Sequence, residues 1–281
     1  GGRDWVEKGH NPVLQLRIMR QLLDKHGMQI AQDAWAACQG SDLIISSFTS
    51  DVYAVGMAHK LGIAHLSAPL QPTLFSTKDG RVLLQAPLPN RVSRINYWFG
   101  QLFLETAAWS LYGNIANRVR TQLLGLPAQT RQENQADRRE LTIIHGYSQH
   151  VVPHPADWPP HFHTTGYWFL DENEQWQPPG ELLDFLTAGS PPLAIGFGSM
   201  TGRDPQKMNK IVLEAVQLSG QRAILLSGWA GLSEMGLAKS VFPLPAAPHG
   251  WLFPQMAAVV HHGGAGSTAA GLRAGVPSIL V

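Results

Sequence analysis

Apolar residues recur along this chain in two alternating rhythms, one of helical period and one of short unbroken runs. Val13, Leu16, Met19, Leu22 and Leu23, then Ile30, Ala34 and Ala37, predict helix from Pro12 to Gln39, broken near Gly27. Asp42 to Phe48 is a compact apolar run between Gly40-Ser41 and a Ser/Thr/Asp cluster, the pattern of a buried parallel strand. A helix is predicted from Val52 to Leu61, with Ser50 or Asp51 as its N-cap and Gly62 as its terminator. Ile63 to Ser67 reads as the next strand. Alternation of this kind implies parallel pairing through right-handed crossovers, so the fold class is α/β.

From Gln71 to Asn90 the pattern lapses into a proline-rich loop, and a helical region follows from Val92 to Leu124. It is rich in aromatic residues: Tyr97, Trp98, Phe99, Phe103, Trp109 and Tyr112. Core packing accounts for such a run, and so does the wall of an apolar cleft. Leu141 to Gly146 and His150 to Val152 read as strands, and His154 to His163 as loop. That loop holds three histidines and an aspartate, but its prolines enforce an extended backbone rather than usual ligand spacing, so no metal site is expected. Asp171 to Gly180 is polar, ends in prolines, and reads as a linker between two domains, residues 1–170 and 181–281.

The second half restarts the alternation with a strand from Leu193 to Phe197 and a loop at Gly198-Ser199-Met200. Asp204 and Pro205 open a helix that runs to about Ser219. Arg222 to Ser227 and Val241 to Leu244 are strands, Trp251 to Met256 is a helical turn, and Ala257 to His261 is a strand. Ser199, Trp229, His249 and His262 all fall at carboxyl ends of strands, where ligands bind in open α/β sheets.

The densest chemistry lies from His261 to Val281. There Gly263, Gly264 and Gly266 permit a tight strand-to-helix turn and close backbone approach to a ligand. Free N–H groups and the positive dipole end of the helix that begins near Ala265 favour an anion. His262, Ser267 and Thr268 can all donate hydrogen bonds to phosphate oxygens. A tight connection without ligand would also use glycines. Two histidines and two hydroxyls within eight residues favour the phosphate site. His261 is expected on the opposite face of the strand from His262.

Composition narrows the class further. Hydrophobic residues make up 44% and charged residues 15%, as in globular chains. A formal charge of +1 argues against nucleic acid as a partner. The single cysteine, Cys38, cannot form an internal disulfide and fits a reducing cytoplasm. No signal peptide or membrane-spanning run is evident, although peripheral membrane association stays open. The chain starts at GGRDW without methionine and stops inside the strand PSILV, so it reads as an internal fragment.

The terminal run, HHGGAGSTAAGLRAGVPSILV, resembles the nucleotide-sugar signature of the family-one glycosyltransferases. The similarity is to the branch of sterol glucosyltransferases and of macrolide and glycopeptide glycosyltransferases. WLFPQMAAVV and PPLAIGFGSM lie at the distances expected in that branch, and NPVLQLR, DLIISS, LGIAHLSAPLQPT and LLGLP extend the likeness through the first half. The resemblance implies two Rossmann-like domains facing across a cleft, the glycosyltransferase B fold, incomplete here at both termini. The acceptor-binding domain would be residues 1–170 and the nucleotide-sugar domain 181–281.

The implied reaction is inverting, metal-independent transfer of a hexose, glucose foremost, from a UDP-sugar to a hydroxyl of an apolar acceptor such as a sterol, polyketide or lipid. No metal or cofactor is implied. Donor-binding residues would be Gly198, Ser199, Trp229, His249, Trp251, His262, Gly263, Gly264, Ala265, Gly266, Ser267 and Thr268. His262 and Ser267 match the phosphate-binding histidine and serine, and Gly198-Ser199 the glycine-serine pair across the crevice. Plant members stack uracil on a tryptophan where this chain has Ala246, and bind ribose with a glutamate where it has Ala270. Ser46 stands where they have the aspartate that orients the base. The general base is expected before Gly1, and the Asp-Gln pair that grips the sugar after Val281, so by itself the chain would bind UDP without turnover. A dinucleotide-dependent oxidoreductase is the remaining alternative, although its glycine motif normally opens the first βα unit.

Overall fold

The computed structural model describes residues 12–47, 49–72, 77–78, 97–98, 105–170, 176–198, 205–226 and 238–281. The chain divides into two compact units between Trp168 and Phe169. The first half of the expected linker, residues 171–175, lies outside the described residues, and its last residue, Gly180, begins a helix.

The first unit is built on a parallel sheet of β1 (Leu43–Ser46), β2 (Ala64–Ser67), β3 (Thr142–His145) and β4 (Phe162–Thr164), in that order. Helix α1 (Pro12–Cys38) runs unbroken through Gly27, contrary to the expected interruption. Tertiary packing explains this glycine. A Cβ at Gly27 would lie 2.8 Å from both Cγ1 and Cδ1 of Ile115, on α3 (Thr106–Arg118). The missing side chain lets the two helices close on each other. Overpacking of this kind costs about 1–3 kcal/mol, against roughly 1 kcal/mol of helix propensity gained by alanine. Gly27→Ala is therefore expected to lower stability by about 1 kcal/mol, read as a lower urea midpoint. A raised midpoint would show that Ile115 yields without cost.

Between β1 and β2 lies α2 (Asp51–Leu61), which Gly62 ends in the left-handed region at φ +68°. Ser50 occupies the N-cap but does not cap; its hydroxyl donates to the Ser47 carbonyl at 2.7 Å instead. Asp51 turns inward, where it accepts hydrogen bonds from the buried hydroxyls of Ser46 and Ser67. Ser46 Oγ also lies 2.7 Å from Nε2 of His65. The core gathers Ile44, Tyr53, Met57, Ile115 and Val119 around the helices. Among the described residues only one face of β1 is covered, since Leu43 and Ile45 are exposed while Ile44 is buried. The strand is therefore not buried on both faces as its apolar run predicts.

The long aromatic helix resolves into α3, which continues as a π-helical turn at Val119–Leu123. Phe99 and Phe103 lie outside the described residues. An unanticipated helix, α4 (Arg131–Glu140), starts with a capping box. The Glu133 N–H donates to Thr130 Oγ1 at 3.3 Å, and the Thr130 N–H donates to Glu133 Oε2 at 2.6 Å.

His150 to Val152 form a turn rather than a strand. The Ser148 carbonyl accepts from both Val151 and Val152 N–H at 3.0 Å, and its hydroxyl accepts from His150 N–H. The last strand, β4, forms instead at the end of the expected loop. In that loop His154 pairs with Thr164 Oγ1 at 3.0 Å, and His161 Nε2 donates to the Arg139 carbonyl at 2.6 Å.

The second unit begins with another unanticipated helix, α5 (Gly180–Thr187), and carries a five-stranded parallel sheet. The strands are β5 (Leu193–Gly196), β6 (Ala223–Leu226), β7 (Val241–Leu244), β8 (Ala258–His261) and β9 (Ser278–Leu280). Helix α6 (Pro205–Ser219) joins β5 to β6. A short helix, α7 (His249–Leu252), and a 3-10 turn precede β8, and α8 (Ala265–Ala274) joins β8 to β9.

Successive residues along the strands enter opposite cores. Ala194 and Ile224 pack with Leu182, Leu252 and Phe253, whereas Ile195 and Leu225 pack with Val216 and Val241. A sheet covered on both faces is the doubly wound arrangement. Its strand order, β7-β6-β5-β8-β9, reverses between β5 and β8. No helix among the described residues is long and apolar enough to cross a membrane.

Candidate donor site at the sheet reversal

The point where strand order reverses leaves a crevice at the carboxyl ends of the strands. Here the ends of β5 and β8 bring Gly198 and the His261–Ser267 turn together. Gly198 at φ +58° and Gly263 at φ +81° use the left-handed region that only glycine enters freely. The His262 ring fits between two glycines. A Cβ at Gly198 would lie 3.5 Å from its Cε1, and a Cβ at Gly264 only 2.7 Å from its Nε2. Its Nδ1 is buried without a partner among the described residues. Gly264 precedes α8, so Ala265, Gly266 and Ser267 form the first helical turn, where N–H groups lack helical acceptors.

A cavity of about 140 Å³ opens beside this turn, lined by Gly198, Ala246, His249, Phe253, His261 and Ser267, among others. The imidazole of His249 stacks on Phe253 with centroids 4.4 Å apart and planes 15° from parallel. Burial lowers its pKa, and the neighbouring charge of His261 lowers it further. His261 is likewise lowered by burial and then by His262. Two of the three imidazoles are thus held toward the neutral form, as hydrogen-bonding groups.

His261 and His262 do point to different sides, but it is the His261 side that lines the cavity. Strand alternation was legible in the sequence; which face held the cavity was not, because that depends on β7 and the Pro245-to-His249 segment. Of the other anticipated residues, Trp251 packs against Trp176 at 4.9 Å. Thr268 donates its backbone N–H to the Gly264 carbonyl. Ser199 and Trp229 lie outside the described residues.

The first unit has its own cavity, of about 60 Å³, between the start of α2 and helices α3 and α4. Trp109 and Tyr112 line it with Val52, Ala108, Asp51 and Arg138. Glu105 stands at its edge, paired with Gln135 and, at 3.4 Å, with Arg139. Among the described residues no group of three or more His, Cys, Asp or Glu is placed to hold a metal ion.

The fold defines a class. The chain matches the solved glycotransferase of kitacinnamycin with a TM-score of 0.61 at 17% identity, over 95% of this chain and 64% of that one. The calicheamicin glycosyltransferase aligns with a TM-score of 0.59 at 14% identity, over 96% and 62%. These are B-type glycosyltransferase folds.

Sequence is more specific. The chain is 37% identical over 263 residues to the sterol 3-beta-glucosyltransferase of Aspergillus oryzae, covering 89% of this chain and 19% of that protein. The Neurospora crassa sterol 3-beta-glucosyltransferase is 35% identical over 269 residues, covering 90% and 17%. No family model matches the chain. It thus spans about a fifth of the length of these curated relatives. By sequence the chain is similar to the sterol 3-beta-glucosyltransferases over about nine-tenths of its own length, and its fold is that of the B-type glycosyltransferases.

Proposed function

We propose that this protein transfers a hexose, glucose foremost, from a UDP-sugar to a hydroxyl of an apolar acceptor, a sterol before a polyketide or other lipid. The observation that carries the donor half is the convergence of the His261-to-Ser267 turn and the α8 start on the sheet reversal, beside a cavity of about 140 Å³ that Ser267 lines. Preorganised donors of this kind stabilise the diphosphate as it leaves, each by about 2.7–4 kcal/mol when aimed at developing charge. The N–H groups would do this without a divalent metal. Inversion follows if the acceptor oxygen attacks directly, with no covalent intermediate. The acceptor half rests on Trp109 and Tyr112 lining the cavity of the first unit, and on the sterol-directed names of the relatives. A cytoplasmic setting belongs to the same reading.

The test is an assay of the full-length protein with UDP-glucose, UDP-galactose and TDP-glucose against sterols and other lipophilic alcohols, with and without EDTA. Sugar transfer to a sterol that persists in EDTA is expected. Loss of activity in EDTA would overturn the metal-free part, and hydride transfer with NAD without sugar transfer would overturn the whole.

A further inference from the structure

We propose that His261 is a second histidine of the donor site, giving its Nε2–H to a phosphate oxygen of the bound nucleotide. This rests on the reading of the crevice as a nucleotide-sugar site.

His261 is only 1% exposed, and its Nδ1 accepts the Gly263 backbone N–H at 3.1 Å. An acceptor nitrogen carries no proton, so in the neutral ring the proton sits on Nε2. Burial holds the ring toward that neutral form. Nε2 has no hydrogen-bond partner among the described residues. A buried N–H donor left unpaired is destabilising, and buried polar groups are otherwise almost always satisfied. Stability alone would favour an apolar residue at this position.

The unpaired donor belongs to a ring that lines the same cavity as Ser267, in the first turn of α8. Two independent features thus converge there: a helix start that favours anions, and a buried donor with no partner. His249 lines the cavity as well, but its ring is committed to the stack on Phe253. His261 would therefore couple turn and ligand, with one nitrogen setting the Gly263 backbone and the other meeting phosphate.

The two nitrogens can be separated by substitution. Asparagine can place its carbonyl oxygen near Nδ1 and keep the Gly263 bond, but it does not reach the cavity. Glutamine can place an N–H near Nε2 and loses the turn contact. Calorimetric or NMR titration of the full-length protein with UDP, uridine and inorganic pyrophosphate would read the difference. His261→Asn should weaken UDP and pyrophosphate at least tenfold and leave uridine unchanged. His261→Gln should stay within about threefold of wild type for UDP while melting earlier, since an uncharged donor to phosphate is retained. A further readout is the His261 Nε2–H resonance, which should shift downfield on adding pyrophosphate.

Wild-type affinity in His261→Asn would overturn the assignment. So would equal losses for uridine and UDP, which would move the contact to the base or ribose, and so would a wild type that binds none of the three probes. A wild type that binds pyrophosphate but neither UDP nor uridine would sink the nucleotide-sugar reading instead. The pyrophosphate titrations of the Asn variant would then still decide the role of His261.

Discussion

Replacing His262 by alanine is expected to lower sugar transfer by the full-length protein about 30- to 150-fold, a loss of about 2–3 kcal/mol in transition-state stabilisation. UDP affinity should fall less. Negative charge on the diphosphate grows as the glycosidic bond breaks, so a donor aimed at it matters more in the transition state than in the ground state. The glycines around the ring supply a second arm. A Cβ at Gly264 would lie 2.7 Å from the His262 Nε2, so Gly264→Ala should displace the imidazole and reproduce much of the loss. Because both changes act on one ring, the double variant should be little worse than His262→Ala alone, a clear departure from additivity. Steady-state rates at saturating donor, with UDP affinity by calorimetry, would check this. Full rate in His262→Ala would reduce the glycine turn to a connection. Additive losses would mean that Gly264 acts through the backbone and not through His262.

What the sequence made legible was local. The strand Val241–Leu244 and the helix Pro205–Ser219 appear where apolar period and the Asp204-Pro205 start placed them. The glycine turn after β8 is also as expected, because glycines, hydroxyls and strand are contiguous. The misreadings share a different cause. Gly27 reads as a helix breaker in isolation, yet its role is to admit Ile115 from 88 residues away in sequence. Asp51 reads as a cap, but the hydroxyls of Ser46 and Ser67 draw it inward. His261 reads as lying on the face away from the ligand until the Pro245-to-His249 segment is seen to line one cavity with it. One missed element did carry a local signal, since Thr130 and Glu133 have the spacing of a capping box.

The aromatic cluster of the first unit leads to the second large effect, a loss of stability in mild acid. His145, at the end of β3, is fully buried and stacks on Trp158 with centroids 4.9 Å apart. Its Nδ1–H donates to the His163 carbonyl at 3.2 Å. Burial lowers its pKa from 6.5 to about 4, the bond to His163 opposes that shift, and the charge of His154 adds to it. The unfolded chain therefore takes up a proton near pH 6.5 that the folded chain refuses until about pH 4. Stability contributed by the neutral ring is complete above pH 6.5, declines as pH falls, and is gone below about pH 4.

The full difference corresponds to about 3 kcal/mol, and about 2–3 kcal/mol is expected once solvent screening is allowed for. Carboxylates titrate over part of the same range, so a variant must isolate the histidine. In His145→Asn the amide can still donate to the His163 carbonyl, but nothing titrates there. This variant should be less stable than wild type at pH 8, because the ring that packs on Trp158 is gone. Its urea midpoint should nevertheless fall less steeply between pH 6.5 and pH 4.5, bringing the two proteins closer as the buffer is acidified. NMR titration of His145 in the folded wild type should find it neutral down to about pH 5. Parallel stability curves for the two proteins, or a His145 that titrates near 6.5, would show that the imidazole reaches water in the native state and that the stack on Trp158 does not exclude the proton.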